Sequence, residues 1–208
     1  MNSQALFPSH DHVGWRYHNG SSLAKGLSEH RPGMWKAKEK ELGYSWRHDA
    51  YKWAPQAFVA TAAAATLLEG DVFCWLDGDV VTHEKIPSGF VESFLDGERV
   101  LAFLGREPKH SEIGFYAARI NSRTRAFFYR FSSIYTSGDW MNLPEWHSAF
   151  VFDVARRETL KEKEMHNITP SGHGHVWFQS PLGNYMDHEK GPRKGKGSAQ
   201  ARAKGWKR

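Results

Sequence analysis

The sequence predicts an α/β fold, and three features of the chain indicate that class. The 208 residues are 40% hydrophobic and include 9 Trp, which provides enough apolar surface for a folded core. A segment rich in strong helix formers, residues 57–68, ends near Gly70. The short apolar segment 71–76 follows directly and is typical of a buried strand. A helix that leads into a fully apolar strand favours a sheet covered by helices.

The pattern of apolar residues predicts the order of the elements. Pro55 suits the first turn of the helix that ends at Leu68, and Cys74 is expected to be a small buried residue of the following strand. The later elements are a short helix at 87–96, strands at 100–104 and 113–118, and amphipathic helices at 123–135 and 146–159. After Lys163 the pattern fades into loops rich in His and Gly.

The two ends of the chain carry the weakest patterns. Residues 1–43 show neither strand nor helix periodicity, and residues 195–208 have the composition of a basic, flexible tail. We therefore expect an irregular N-terminal segment at 1–43, one domain at 44–194 and the tail at 195–208.

The formal charge of +5 suggests a nucleic-acid-binding protein at first. Residues 188–208 hold eight Lys and Arg against one acid, which leaves −2 for the rest of the chain. Nucleic-acid binding through this basic segment is therefore an alternative rather than the favoured function. A single cysteine excludes an intramolecular disulfide and a multi-cysteine zinc site. Since no signal peptide and no segment of transmembrane length is apparent, we expect a cytoplasmic protein.

The segment Asp77-Gly-Asp79 follows the first predicted strand and is the first candidate for chemistry. Two carboxylates at positions i and i+2 of an extended segment lie on the same side, and Gly78 leaves room for a ligand. Such oxygen ligands suit Mg²⁺ or Mn²⁺. The alternative is a turn whose acids cap the next segment. The position at the carboxyl end of a buried strand, where α/β sheets bind ligands, favours a site.

The second candidate is the segment 188–194. His188 could complete a metal site, Gly191 would allow the backbone to close over a diphosphate, and Arg193 and Lys194 supply cations for its oxygens. The alternative is a solvated basic tail.

From about residue 44 to residue 195 the chain resembles nucleotide-sugar glycosyltransferases of the GT-A type. Asp77-Gly-Asp79 after an apolar strand looks like their Asp-X-Asp metal motif. His188-X-X-Gly191-X-X-Lys194 is similar to the C-terminal motif of the glycogenin-like retaining enzymes. The resemblance implies a single GT-A-like domain with a mixed, mainly parallel sheet flanked by helices. The first, nucleoside-binding strand of that family has no evident counterpart in residues 1–43, so it is either missing or divergent.

The resemblance implies a metal-dependent glycosyltransferase, specifically a hexosyltransferase. It would transfer a sugar from a nucleotide-diphosphate sugar, with a UDP-sugar as the first choice, to a hydroxyl of a carbohydrate or another acceptor. Mn²⁺ or Mg²⁺ would be held by Asp77, Asp79 and His188. The residues implied in donor binding are Arg47, Lys52, Asp77, Asn121, Gly191, Arg193 and Lys194.

The acceptor side of the reaction requires a further carboxylate if the reaction inverts configuration. Glu145 is the first candidate base and Asp139 the second. The glycogenin-like motif argues for retention, in which case Glu145 would position the acceptor. The alternative for Glu145 is a surface residue at a helix N-terminus, where the dipole favours it.

Several residues and two further functions stay open as alternatives. The loose group of His166, His173 and His175 is more simply a loop than a zinc site. Trp140, Trp146 and Trp177 could stack on a sugar, although burial in the core is the ordinary outcome. Besides the nucleic-acid-binding protein, the chain could be an inactive glycosyltransferase fragment that keeps only the metal motif.

Overall fold

A computed structural model of the chain describes residues 45–169 and 176–189. These residues form two compact units, one built from 45–66 and 125–159 and the other from 67–124, 160–169 and 176–189. Several predictions concern residues outside the described ranges, namely those on residues 1–43, His173, His175, Gly191, Arg193, Lys194 and the tail 195–208.

The first unit is helical. It contains α1 (Ala50–Thr66), most of α2 (Ser122–Ser137), which begins in the other unit, and α3 (Ser148–Thr159). Short 3₁₀ helices lie at Trp46–His48 and Asp139–Asn142. The buried residues of α1 recur at intervals of three and four, which places them on one face: Ala50, Ala54, Ala57, Ala60 and Ala64.

The start of α1 differs from the prediction. Asp49 accepts a hydrogen bond from the backbone N–H of Lys52 at 3.0 Å, which is the contact of an N-terminal cap. The helix therefore begins at Ala50, and Pro55 lies inside it rather than in its first turn. The two later helices were predicted to within a few residues at each end.

The second unit contains a four-stranded sheet. In spatial order its strands are β1 (Val72–Leu76), β4 (Lys109–Arg119), β3 (Leu101–Arg106) and β5 (Met165–Asn167). The β1–β4 and β3–β4 pairs are antiparallel, and only β3–β5 is parallel among the described strands. The chain is therefore α/β with a mixed sheet.

The prediction of a mainly parallel sheet is wrong. Only residues 107 and 108 separate β3 from β4, and a connection this short can join only antiparallel neighbours. The prediction that Cys74 is buried is also wrong, because β1 lies at the edge of the sheet and the Cys74 side chain is exposed.

Two three-residue strands form a second, smaller sheet that was not predicted. β2 (Val80–Thr82) pairs antiparallel with β6 (Met186–His188). The short helix α4 (Val176–Gln179) and the 3₁₀ helix Glu92–Leu95 pack with the strands in one apolar core. That core includes Phe94, Leu104, Phe115, Trp177, Leu182 and Met186.

In the described ranges, every helix is too short or too polar to cross a bilayer.

Candidate metal centre

The Asp77–Asp79 loop is held between two sheets of the second unit. At the end of β1, the backbone N–H of Asp77 donates to the carbonyl of Gly114 at 3.0 Å. The N–H of Val80 then donates to the carbonyl of Asp77 at 3.0 Å, which closes a turn that leads into β2. Because Val80 pairs with His188 in the β2–β6 sheet, this turn brings the two sequence motifs together.

The side chains of Asp77, Asp79 and His188 converge. His188 Nε2 lies 2.7 Å from Asp79 Oδ1 and 3.5 Å from Asp77 Oδ2. One ligand atom of each residue lies within 4.8 Å of the other two. The imidazole is fully buried, whereas the Asp77 and Asp79 side chains are 28% and 33% exposed. The carboxylates are therefore open to solvent on one side, and the buried imidazole forms the inner side of the cluster.

Two aromatic residues support Asp77. Trp75 Nε1–H donates to Asp77 Oδ1 at 2.9 Å, and the Trp75 ring stacks on Tyr116 with an interplanar angle of 9°. This hydrogen bond occupies Oδ1 and leaves Oδ2 on the His188 side. Burial, and then the nearby Asp77 carboxylate, raise the pKa of the Tyr116 hydroxyl well above its ordinary value. Tyr116 is therefore neutral and packs the site without adding charge.

Gly114 lies directly beneath the cluster. A Cβ atom at this position would lie 2.5 Å from His188 Cε1, 2.6 Å from His188 Nδ1 and 3.4 Å from Asp77 Oδ2. The first two distances are shorter than any real contact of this kind. Only glycine leaves the space that the imidazole occupies.

The donor set fits a divalent cation. Two carboxylates supply hard oxygen ligands, and a neutral imidazole suits Mn²⁺ better than Mg²⁺, which takes oxygen ligands almost alone. The side chains of Asp77, Asp79 and His188 thus lie close enough to share one ion, and their binding of a metal stays a prediction.

Arg47 and Lys52, predicted to bind the donor, lie in the helical unit. The Arg47 guanidinium lies 5.3 Å from the centroid of the Trp46 ring, and the Lys52 ammonium lies 4.5 Å from that of Trp53. Partial burial lowers the pKa of Lys52, and this effect is offset in part by Asp49. Both cations thus make cation–π contacts within their own unit.

Glu145, the first candidate base, is a half-buried residue that precedes α3. His147 Nδ1 accepts from the N–H of Phe150 at 3.3 Å, so its proton lies on Nε2, which donates to Glu145 Oε2 at 2.8 Å. Arg47 Nε lies 3.7 Å from Glu145 Oε1. The carboxylate is therefore oriented by an imidazole and faced by a guanidinium within the helical unit.

Asp139, the second candidate, is bound to Arg130 Nη1 at 2.6 Å. This hydrogen bond holds the pKa of Asp139 below its ordinary value. A carboxylate of lowered pKa is a poor proton acceptor, so the geometry disfavours Asp139 as a general base.

The remaining predicted residues have local structural contacts. Asn121 Oδ1 accepts from the N–H of Thr124 at 2.9 Å, which caps α2. Trp140 and Trp177 are buried, which is the ordinary outcome for a tryptophan side chain. In strand β5, His166 Nδ1 donates to the carbonyl of Phe94 at 2.8 Å.

Sequence reasoning missed two residues of the centre, Trp75 and Glu112. Glu112 is only 5% exposed, and its Oε1 lies 3.6 Å from His188 Nδ1. An acidic residue at the start of an apolar strand was an available signal, because a buried carboxylate requires a partner.

Comparison of the chain with protein-family models, with curated proteins and with solved structures finds no match.

Proposed function

We propose that the chain is a metal-dependent glycosyltransferase that uses a nucleotide-diphosphate sugar as donor. The observation that carries the proposal is the convergence of Asp77, Asp79 and His188, whose ligand atoms lie within 4.8 Å of one another. These are the three residues that the resemblance to GT-A glycosyltransferases implies as metal ligands. Their convergence supports the metal site, and the glycosyl-transfer part of the proposal depends on the two motifs.

The chemical requirement of glycosyl transfer is stabilisation of the departing diphosphate. A divalent cation held by Asp77, Asp79 and His188 would supply Lewis-acid neutralisation of the charge that develops on the diphosphate oxygens. The partial exposure of the two carboxylates leaves one side of the cluster open to a ligand from solvent. Trp75 orients Asp77 through its hydrogen bond, and Gly114 leaves the space that His188 occupies, so the site is ordered before a donor arrives.

The donor contacts beyond the metal are proposed from the sequence motif. Arg193 and Lys194 would donate hydrogen bonds to the diphosphate, and these bonds strengthen as negative charge develops. Gly191 would permit the backbone to approach it closely. We propose Mn²⁺ as the metal and a UDP-sugar as the first donor to be tested.

The test compares the wild-type chain with Asp79→Asn and with Asp96→Asn, a matched change at an exposed aspartate. Nucleoside diphosphates should raise the melting temperature of the wild type only when Mn²⁺ is present, because a ligand of the native state stabilises it. Common UDP- and GDP-sugars should be hydrolysed or transferred under the same conditions. Asp79→Asn should lose both effects, with Mn²⁺ affinity lowered at least about 100-fold, and Asp96→Asn should keep them.

Two outcomes would overturn the proposal. The first is a folded wild-type chain that, with Mn²⁺, binds no nucleoside diphosphate and releases none from any of these sugars. The second is nucleic-acid binding that falls steeply with salt and is indifferent to both Mn²⁺ and Asp79→Asn, with no nucleotide-sugar chemistry. The second result would favour the nucleic-acid-binding alternative.

A further inference from the structure

We infer that Glu112, held by Arg106, is a positioning residue that keeps the Nε2 atom of His188 available as a metal ligand. The inference rests on the metal site of the proposed function, but not on the identity of the donor or the acceptor. Glu112 is not part of either sequence motif.

The contacts form a line through the second unit. Glu112 Oε1 lies 3.6 Å from His188 Nδ1, which is an ion-pair distance rather than a hydrogen bond. Its other oxygen, Oε2, lies 3.3 Å from Arg106 Nη1. Arg106 is itself anchored, because its Nε–H donates to the carbonyl of His110 at 2.9 Å. The Glu112 and His188 side chains are 6% and 0% exposed, so water screens their interaction weakly.

An irregularity in the sheet accompanies this arrangement. Phe103 of β3 pairs with Tyr116, but the next residue, Leu104, pairs with Glu112. Three residues of β4, 113–115, therefore have no partner in the β3 ladder. Bulges of this kind re-aim side chains and are common beside functional sites. Here the bulge includes Gly114, the residue whose missing side chain makes room for His188.

The physical reason for a carboxylate at Nδ1 is the choice of tautomer. A neutral imidazole carries one proton, and the nitrogen that binds a metal must be the other one. Asp79 Oδ1 lies 2.7 Å from Nε2 and favours a proton there, which would block coordination. Glu112 favours the proton on Nδ1 instead. Histidine ligands of metals commonly donate their second N–H to a carboxylate for this reason.

The sharpest variant is Glu112→Gln, because it keeps the shape of the side chain. The Arg106 guanidinium has only hydrogen-bond donors, so it would pair with the carbonyl oxygen, which is the one acceptor of the new amide. The amide NH₂ would then face His188 Nδ1, which would have to accept, and the imidazole proton would lie on Nε2. We expect Mn²⁺ affinity to fall about 10- to 100-fold.

Glu164→Gln is the matched control. Glu164 forms a comparable pair in the same unit, with Arg123 Nη2 3.3 Å from its Oε2. Glu164→Gln should bind Mn²⁺ within about twofold of the wild type, because the Arg123–Glu164 pair is separate from the contacts that link Arg106, Glu112 and His188. Mn²⁺ binding would be titrated by electron paramagnetic resonance of the free ion.

A second readout separates positioning from a merely structural role. Long-range ¹H–¹⁵N correlation spectra of the metal-free chain report which nitrogens of His188 carry protons. The wild type should carry a proton on Nδ1, and Glu112→Gln should lose it. A bare Nδ1 in the wild type would overturn the inference, and this measurement needs no variant to fold.

The two proposals fail separately. A wild type that binds Mn²⁺, with Glu112→Gln equally tight and an unchanged tautomer, overturns the inference and leaves the proposed function standing. A wild type that binds no Mn²⁺ overturns the metal site, whatever the spectra show. A weakened Glu112→Gln with the tautomer changed supports the inference even if no nucleotide sugar is ever a substrate.

Discussion

Replacement of Gly114 by alanine is the most direct test of how closely the candidate centre is packed. The added Cβ would lie 2.5 Å from His188 Cε1, whereas ordinary van der Waals contacts begin at 3.4 Å. The imidazole would have to move by about 1 Å, the difference between these two distances. It has little room to do so, because it is fully buried and packs against Trp177 with a centroid distance of 5.3 Å.

Two effects should follow from Gly114→Ala. Overpacking of this kind costs about 1–3 kcal/mol, which corresponds to a melting temperature lower by roughly 2–12 °C for a chain of this size. A histidine ligand displaced by about 1 Å no longer lies at coordination distance from a metal that the two carboxylates hold, so Mn²⁺ affinity should fall by about 100-fold. Thermal unfolding and an Mn²⁺ titration measure the two effects independently.

Gly78→Ala is the control for Gly114→Ala. Gly78 lies between the two aspartates, yet a Cβ there would meet no atom within 4 Å. Its melting temperature and Mn²⁺ affinity should stay close to those of the wild type. The reasoning would be refuted by a Gly114→Ala chain that binds Mn²⁺ as tightly as Gly78→Ala and melts at the same temperature.

Two further variants test single contacts. Trp75→Phe removes the hydrogen-bond donor to Asp77 Oδ1 but keeps an aromatic ring on Tyr116. Mn²⁺ affinity, measured by calorimetric titration, should therefore fall about tenfold. Unchanged affinity would show that the hydrogen bond does not orient Asp77. Asp139→Asn should reduce the free energy of unfolding by less than about 1 kcal/mol, because the pair with Arg130 is about half exposed. Since the pKa of Asp139 is lowered in the folded chain, the stabilisation is complete above the unfolded-state pKa of about 3.9 and is lost as pH falls through the folded-state pKa. Urea unfolding of both chains between pH 7 and pH 3 should therefore show a shrinking difference, and a growing one would contradict the assignment.

Local patterns predicted the elements whose own residues determine them. α2 and α3 show helical periodicity, and β1 is a continuous apolar segment, so each was expected near its observed position. β2 and β6 have only three residues each, too few for any period to be visible. They exist because residues far apart in the chain pair with each other, which single-sequence patterns do not reveal.

The sequence predicted the motif residues of the candidate centre but not the residues that support them. Asp77, Asp79 and His188 carry types and positions that indicate metal ligands, and the structure brings them together. The strand direction was misjudged, because the helix–strand order suggested parallel crossovers where β3 and β4 form a hairpin. Trp75 and Glu112 were not predicted, because their supporting role follows from the atoms that they contact. Those contacts depend on the register and the bulge of β4.

The β2–β6 pairing has a consequence for chain entropy. Asp79 and His188 are 109 residues apart in sequence, and the small sheet is what joins them. Closing a flexible loop of that length costs about 4 kcal/mol in an unfolded chain, from the logarithmic dependence on loop length. In the folded chain the three ligands already lie close together, so metal binding does not incur this loss of entropy. A fragment that lacks either strand would incur the loss when it binds the metal. Proteolytic cleavage that separates β2 from β6 should therefore abolish tight metal binding even where every ligand residue survives.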